Sequence, residues 1–356
     1  RASYGESGNL SALAAYERLS NYLPVPINGT TGLVPSTRLG NDGLKPERQK
    51  ELELGLDVGM FKNRLGFESS VYDVEVEDLL LTRTLANSTG FETRLENVGT
   101  MTNKGMELLV RAAPIMNAKF RWNVMATYSR NRNEVNGIEG NQIALPKSFG
   151  VSLARNGEPI GILDGFYYAR DAQGNILLDA NGLPSRALDA NGNVDRKTIG
   201  DPNPDWIGSL VNELSYKNFN LRVQFDAVQG FDIFNFTDRV NSRSSFGGGW
   251  RDAQELRGEL APGYNNAAYN IWDRYIEDGS FVKLRELALT YSWQPKYEGI
   301  SNVAVSFIGR NLLSFDNYTG WDPETSASGQ QNGVRGFDFN EVPIPRTWQF
   351  GLTLEF

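Results

Sequence analysis

The sequence predicts an all-β fold, a transmembrane antiparallel up-and-down β-barrel, and three observations support this prediction. The last ten residues alternate between apolar and polar side chains, the same pattern recurs along the chain, and short connections alternate with long ones. Successive side chains of a strand point to opposite faces, so each alternating segment is predicted to be a strand with one apolar and one polar face. Such strands in up-and-down order are typical of outer-membrane barrels.

The final segment, residues 347–356, shows the alternation most clearly. One face of its sequence, TWQFGLTLEF, carries Trp348, Phe350, Leu352, Leu354 and Phe356. The other face carries Thr347, Gln349, Gly351, Thr353 and Glu355. A strand of a soluble β-sandwich can show the same pattern, so this segment alone does not distinguish the two folds.

Ten strands are predicted in all. The chain begins with the end of a strand at residues 1–5, and the other predicted strands lie at 51–60, 64–80, 105–112, 119–128, 206–216, 219–227, 281–293, 301–313 and 347–356. In the strand at 64–80 the apolar positions shift from Leu65, Phe67 and Val71 to Tyr72, Val74 and Val76. A shift of this kind predicts a β-bulge.

The connections favour a barrel over a sandwich. Short turns at 61–63, 114–118, 217–218 and 294–300 alternate with long loops at 6–46, 82–100, 133–205, 236–280 and 314–344. The polar face is charged, which costs little free energy if the face lines a wet lumen and several kcal/mol if it meets lipid. Its polar residues include Glu51, Glu53, Asp57, Glu107, Arg111, Lys119, Arg121, Arg222, Asp226, Glu286 and Glu355. Aromatic residues near strand ends suit an interfacial girdle, although they also suit a sandwich core: Trp122, Tyr216, Phe219, Tyr291, Trp293, Trp348 and Phe356.

Composition excludes several classes of function. The 356 residues include no cysteine and no histidine, which excludes disulfides, thiolate chemistry and a Ser-His-Asp triad. The net charge of −8 argues against nucleic acid as a partner. No apolar run is long enough for a membrane helix. Because Arg1 is not an initiator methionine and no signal peptide is evident, we expect the chain to be a piece whose beginning lies elsewhere.

Seven segments, in order along almost the whole chain, resemble the SusC/RagA-type TonB-dependent transporters. They are RASYGESGN (1–9), LKPERQKELELGLDVGMFKNRLGFESSVYD (44–73), VEDLLLTRT (76–84), ENVGTMTNKGMEL (96–108), IGDPNPDW (199–206), DGSFVKLRELALTYSW (278–293) and GRNLLSFDNYTGWDPE (309–324). The terminal Phe356 also resembles the assembly signal of bacterial outer-membrane barrels.

The resemblance implies a nutrient importer of the Bacteroidetes outer membrane. Residues 1–356 would be the last ten strands of a barrel of about 22 strands, with short periplasmic turns and long extracellular loops. The N-terminal plug domain and the TonB-contacting segment would be absent from this chain. Implied partners are a SusD-like surface lipoprotein acting as a lid, TonB with ExbB and ExbD through the missing part, and the lipid and lipopolysaccharide of the membrane.

Aromatic residues in the long loops are candidates for contact with an oligosaccharide or a peptide, because aromatic faces stack on sugar rings and apolar groups. The main candidates are Trp250, Tyr264, Tyr269, Trp272, Tyr318 and Trp321, and Phe246 and Tyr275 lie in the same loops. For any one of these residues, packing within the loops or against the lid protein is the favoured alternative.

One acidic segment resembles a calcium site. Asp189, Asn191, Asn193 and Asp195 alternate in DANGNVD, a spacing at which oxygen ligands can wrap Ca²⁺. Position twelve is Gly200 rather than the glutamate of an EF-hand, and DAQGN (171–175) and DANG (179–182) repeat the pattern. Such segments are also favoured turns, and the sequence favours turns over a structural Ca²⁺. No other cofactor and no catalytic residue is predicted. The alternative function is a small self-contained barrel acting as a passive pore, an adhesin or a hydrolase.

Overall fold

Ten long strands form one antiparallel sheet in a computed structural model that describes residues 1–146, 148–243, 248–296, 299–329 and 334–356. These strands are β1 (Ala2–Asn9), β2 (Glu47–Met60), β3 (Leu65–Glu77), β4 (Thr100–Met116), β5 (Phe120–Asn136), β6 (Trp206–Tyr216), β7 (Phe219–Gln229), β8 (Phe281–Trp293), β9 (Asn302–Asp316) and β10 (Thr347–Glu355).

The order of strands in the sheet is their order in the chain, from β1 to β10. Every neighbouring pair is antiparallel, so the predicted up-and-down architecture is confirmed. All ten predicted strands are present. Several extend further toward the long loops than the alternation indicated: β2 begins at Glu47, and β5 continues to Asn136.

The pairing register keeps the apolar residues on one face across the whole sheet. Leu54 lies opposite Val71, which lies opposite Met106. At the other edge Leu352 lies opposite Val305. Residues of this face are exposed in the chain although they are large and apolar, and a row of exposed apolar side chains of this extent marks a surface that meets an apolar environment.

The second face of the sheet is polar and carries the contacts with the loops. Lys283 and Arg285 of β8, for example, bind Glu324 of the last long loop. This face is therefore the inner wall, and the alternation read from the sequence assigned its residues correctly.

The β-bulge predicted in β3 is wrong. β3 pairs without interruption from Leu65 to Glu77 with both neighbours. The apolar positions change face because Val74 and Val76, at the loop end of the inner face, pack against the loops. Register shifts occur instead in β5 near Asn123 and in β8 at Arg285.

The long loops contain short strands and helices of their own. Short strands lie at Tyr22–Ile27, Thr30–Pro35, Arg38–Leu39, Leu80–Thr84, Thr93–Asn97, Gln142–Ala144, Ser152–Arg155, Ile162–Gly165, Lys197–Gly200, Asp232–Asn235, Ile276–Asp278 and Phe337–Asp338. The helices are α1 (Phe236–Asn241), α2 (Trp250–Leu256) and α3 (Tyr264–Ala268), with 3-10 turns at Asn87–Thr89 and Trp272–Tyr275. Among the described residues, no helix is long and apolar enough to span a membrane.

The buried apolar residues lie mainly in the loop layer rather than in the sheet. One cluster joins the outer ends of β3 and β5 to the loops and contains Val76, Leu79, Leu81, Val98, Val135, Ile138, Ile143, Leu145, Ala154 and Val334. A second contains Val151, Leu163, Phe234, Tyr275 and Phe337. The long loops therefore form a packed cap, which fixes the positions of the polar and aromatic residues described next.

Candidate functional site

Two of the predicted aromatic residues, Trp250 and Trp321, line one open cleft in the loop layer. The cleft has a volume of about 430 Å³. Trp250 is 47% exposed and Trp321 is 77% exposed. Between them lie polar side chains that were not predicted from the sequence: Asn235, Thr237, Asp238, Asn241 and Thr319.

Hydrogen bonds hold the floor of the cleft in place. The Asn235 side chain is almost fully buried and donates to Glu277 Oε1 at 3.0 Å. Thr319 donates to the same carboxylate through its hydroxyl at 2.8 Å and through its backbone N–H at 2.9 Å. Glu277 therefore joins the segment before α1 to the loop that carries Trp321.

A second set of contacts lies beneath Thr237. Tyr318 donates to Asp338 Oδ2 at 2.6 Å, and Thr237 donates to Asp338 Oδ1 at 3.2 Å. Burial, and next the hydrogen bond to Asp338, raise the pKa of the Tyr318 hydroxyl, so it stays protonated and acts as a donor. Both oxygens of the buried Asp338 are thus satisfied, as a buried carboxylate requires.

Asp238 of α1 is the charged group at the cleft. Its carboxylate accepts from Arg251 Nε at 2.5 Å, so a cation neutralises it. The Arg251 guanidinium also lies 4.3 Å from the centroid of the Trp250 ring, within the range of a cation–π contact. Arg251 therefore fixes both Asp238 and Trp250.

Trp321 is anchored to the barrel wall through the residues that follow it. Lys283 of β8 is 4% exposed and donates to Asp322 Oδ1 at 2.5 Å and to Glu324 Oε2 at 2.8 Å. Arg285 adds two contacts of 2.9 Å to Glu324. We call Lys283, Arg285, Asp322 and Glu324 the wall clamp. Arg285 lies two positions after Lys283 and shares its inner face, where it also binds Asp226 at 2.7 Å.

The other predicted aromatic residues pack within the loop layer. Tyr264 belongs to a small cluster with Tyr168 and Ile271. The centroid of the Tyr269 ring lies 4.2 Å from the guanidinium carbon of Arg239. The remaining members are Trp272, which contacts Phe166 and Phe234, and the buried Tyr275 and Tyr318. Phe246 lies outside the described residues. Substrate contact by the six main candidates stays a prediction, and Trp250 and Trp321 are the ones that face open space.

The segment proposed for calcium forms a tight turn. Asp189 Oδ1 accepts from the backbone N–H groups of Asn191 and Asn193, each at 2.8 Å. Asp195 Oδ2 accepts from the Tyr167 hydroxyl at 2.6 Å. Asp171 and Asp179 make the same pair of backbone contacts, so the three acidic segments form three copies of one turn.

Glycine is required at one position of this turn. Gly192 has φ +82°, a conformation that residues with a Cβ rarely adopt. Among the described residues, no group of three or more acidic side chains is arranged to hold a metal ion. Calcium binding by Asp189, Asn191, Asn193 and Asp195 stays a prediction, and the turn contacts account for the pattern without an ion.

A row of ion pairs crosses four strands of the inner wall, from β6 to β9. Glu213 Oε1 binds Arg222 Nη1 at 2.5 Å, and Arg222 Nε binds Glu286 Oε1 at 3.2 Å. Glu286 Oε2 then binds Arg310 Nε at 3.0 Å. We call this row the charge ladder. Cross-strand neighbours of opposite sign stabilise a sheet, and a wet lumen tolerates their charge.

A family model described as "TonB dependent receptor-like, beta-barrel" matches residues 1–186 of the chain. The chain belongs to this receptor family. TonB-dependent receptors of this barrel type are outer-membrane proteins, so the strands of the receptor chain cross the outer membrane with the apolar face toward lipid. The relatives that match the chain are receptors and transporters rather than enzymes.

Named relatives match the receptor chain over its whole length or nearly so. TonB-dependent receptor P3 of Formosa agariphila is 32% identical, and the match covers 100% of this chain and 39% of the relative. TonB-dependent receptor SusC of Bacteroides thetaiotaomicron is 24% identical over 97% of this chain and 35% of its own length. The receptor chain thus spans about two fifths of the length of the relatives that it matches.

Solved structures confirm the fold. One, described as "Structure of the RagAB peptide transporter", matches with a TM-score of 0.75 and 23% identity over 100% of this chain and 40% of that chain. Another, of the RagAB peptide importer in the "closed-closed" state, matches with a TM-score of 0.76 and 24% identity over 99% of this chain and 40% of that chain.

Proposed function

We propose that this chain is the barrel part of an outer-membrane importer that takes up nutrients with energy supplied through TonB. The observation that carries the proposal is the two-faced wall: an apolar outer face and a charged inner face, beneath a packed cap of loops, in a chain of the TonB-dependent receptor family. A charged inner wall suits a lumen that polar solutes cross, and a packed cap suits controlled rather than free passage.

The substrates and partners follow from relatives. One solved neighbour is described as a peptide transporter, and SusC is a named relative, so we propose oligosaccharides or peptides as cargo and a SusD-like lipoprotein as the lid over the loops. We also propose that a plug domain and a TonB-contacting segment act with this barrel.

Uptake by living cells tests the proposal. Labelled oligosaccharides and labelled peptides are given to the native host, to a strain lacking the gene that encodes this chain, and to a strain lacking TonB. We expect uptake of at least one label to be lost in both mutant strains. Uptake that needs the gene and persists without TonB would favour the passive pore and contradict the energised importer.

Purification tests the proposed lid. An affinity-tagged receptor is extracted in mild detergent and its partners are identified by mass spectrometry. We expect a surface lipoprotein in about equal amount. A receptor that purifies alone after chemical cross-linking on intact cells would contradict this part of the proposal.

A further inference from the structure

We propose that the cleft between Trp250 and Trp321 is a subsite for a neutral sugar ring, which makes oligosaccharide rather than peptide the cargo of this receptor. The inference rests on the proposed function, since it names the class of molecule that the importer takes. It depends on three properties of the cleft: its walls, its floor and its charge.

The walls are aromatic and remain open to the cleft. Trp272, Tyr275 and Tyr318 are covered by neighbouring loop residues, whereas Trp250 and Trp321 expose large ring surfaces to the same cleft. Two tryptophans that line one concave site, with a few polar groups between them, form the kind of lining at which small ligands bind. A sugar ring has an apolar face of C–H groups, which stacks well on a planar aromatic surface of this kind.

The floor is polar and held in place before a ligand binds. Asn241 offers an exposed amide, and Asp238 offers a carboxylate. The hydroxyls of Thr237 and Thr319 donate to Asp338 and Glu277, so toward a ligand they offer only a remaining lone pair on oxygen. These groups include both donors and acceptors, as the hydroxyl groups around the edge of a sugar ring require. Because Glu277 and Asp338 hold the threonines, little side-chain freedom is lost on binding.

The charge of the cleft favours a neutral ligand. Among the described residues that line it, Asp238 is the only charged one, and Arg251 neutralises it. A peptide terminus or charged side chain would therefore find no unpaired counter-charge on these lining residues, whereas a sugar needs none. The volume of about 430 Å³ lies toward the small end of ligand pockets and suits about one or two sugar rings.

Binding to the purified receptor tests the subsite. The receptor is isolated from its native host with its partners. It is titrated by calorimetry with neutral six-unit glucans, mannans and xylans, and with a mixture of ten-residue peptides. We expect at least one oligosaccharide to bind, and Trp250→Ala and Trp321→Ala each to weaken that binding about tenfold. Asn241→Ala should weaken it less, because one exposed hydrogen bond is worth less than a stacked ring.

Leu256→Ala is the matched control. Leu256 lies on the same helix as Trp250 and is highly exposed, but it does not line the cleft. We expect the Leu256→Ala receptor to bind the oligosaccharide with the affinity of the native receptor. The mobility shift of an unheated sample on a denaturing gel checks that each variant is a folded barrel.

Three outcomes would overturn the inference. They are binding of no oligosaccharide in the panel, binding of peptides that is lost in Trp321→Ala, and oligosaccharide binding that neither tryptophan variant changes. The proposed function fails differently, through uptake that does not need TonB. A receptor that imports only peptides in a TonB-dependent way would overturn the sugar subsite and leave the importer standing.

Discussion

Tyr318 illustrates how single buried groups support the loop layer. Its hydroxyl donates the shorter of the two hydrogen bonds that satisfy the buried Asp338 carboxylate. We expect Tyr318→Phe to destabilise the loop layer by about 1–3 kcal/mol, because it leaves one carboxylate oxygen buried without its donor. Hydrogen–deuterium exchange of residues 232–241 and 334–340 measures the effect. Tyr16→Phe, at an exposed tyrosine, is the control and should leave exchange unchanged.

The same residue gives the loop layer a pH dependence. Burial raises the pKa of Tyr318 in the folded protein, and also that of Tyr168 and Tyr275. Folding that raises a pKa contributes stability that is complete below the unfolded value of about 10 and is lost as the pH rises above it. The loop layer of the native receptor should therefore weaken above about pH 10. The part of this loss that comes from Tyr318 should be missing in Tyr318→Phe.

At the level of residues, the facing of strand side chains can be predicted from the sequence, whereas the exposure of loop side chains cannot. Leu352 and Leu354 were assigned to the lipid face because alternation is a local property of any strand. Trp272 and Trp321 could not be told apart, because a loop has no periodicity and only tertiary contacts decide which ring is covered. Asp238 and Asn241 gave no signal at all, since isolated polar residues are common in loops.

At the scale of single elements, β8 positions the loop that carries Trp321 through the wall clamp. Lys283 is buried between two carboxylates, and a buried ion pair that loses one partner costs about 3–5 kcal/mol. We expect Lys283→Met to release residues 317–329 from the wall and to increase their cleavage by protease in folded receptor. Ligand affinity should fall with it, because Trp321 precedes Asp322.

Lys104→Met is the matched control for the wall clamp. Lys104 also lies on a strand and pairs with Asp73 at 3.0 Å, but its side chain is 65% exposed. An exposed pair contributes about 0–1 kcal/mol, so cleavage of residues 317–329 should stay as in the native receptor. Equal cleavage of the Lys283→Met and native receptors would show that the clamp does not hold this loop.

The course of β3 shows why the prediction of elements was incomplete. Its apolar residues change face, and a change of face in a single sequence looks the same whether the strand bulges or its environment changes. In β3 the environment changes, because Val74 and Val76 leave the level of the lumen and enter the loop core. The true irregularity at Arg285 was hidden because β8 retains an apolar pattern on both sides of it.

Insertion of the whole molecule into a membrane depends on an apolar outer face and a polar inner face of the sheet. Two adjacent residues of β10, one on each face, allow a test of this. Leu352 belongs to the outer face and Thr353 to the inner face. We expect Leu352→Arg to cost about 2–4 kcal/mol if it lies near the bilayer midplane, and so to reduce the amount of folded receptor in outer membranes. Thr353→Arg, which faces the lumen, should have little effect. Equal amounts of the two variants would contradict the assignment of faces.

The overall plan could be predicted from the sequence to a greater extent than the cap. The strands follow from alternation and the up-and-down order follows from connection lengths, both of which are local. The cap depends on contacts between loops far apart in the chain, such as Phe234 with Phe337, and no pattern in a single sequence marks such pairs.

The charge ladder has a consequence for how solutes meet the wall. Its four members carry two negative and two positive charges in alternation on strands about 5 Å apart, so their potentials cancel at distances beyond a few ångströms. Salt screens the remaining electrostatic potential over a distance of about 8 Å. If solutes pass this wall as proposed, the ladder would attract or repel a charged solute only at short range. In the proposed importer this section of the wall would therefore select little by charge, and discrimination between cargoes would belong to the cap above it.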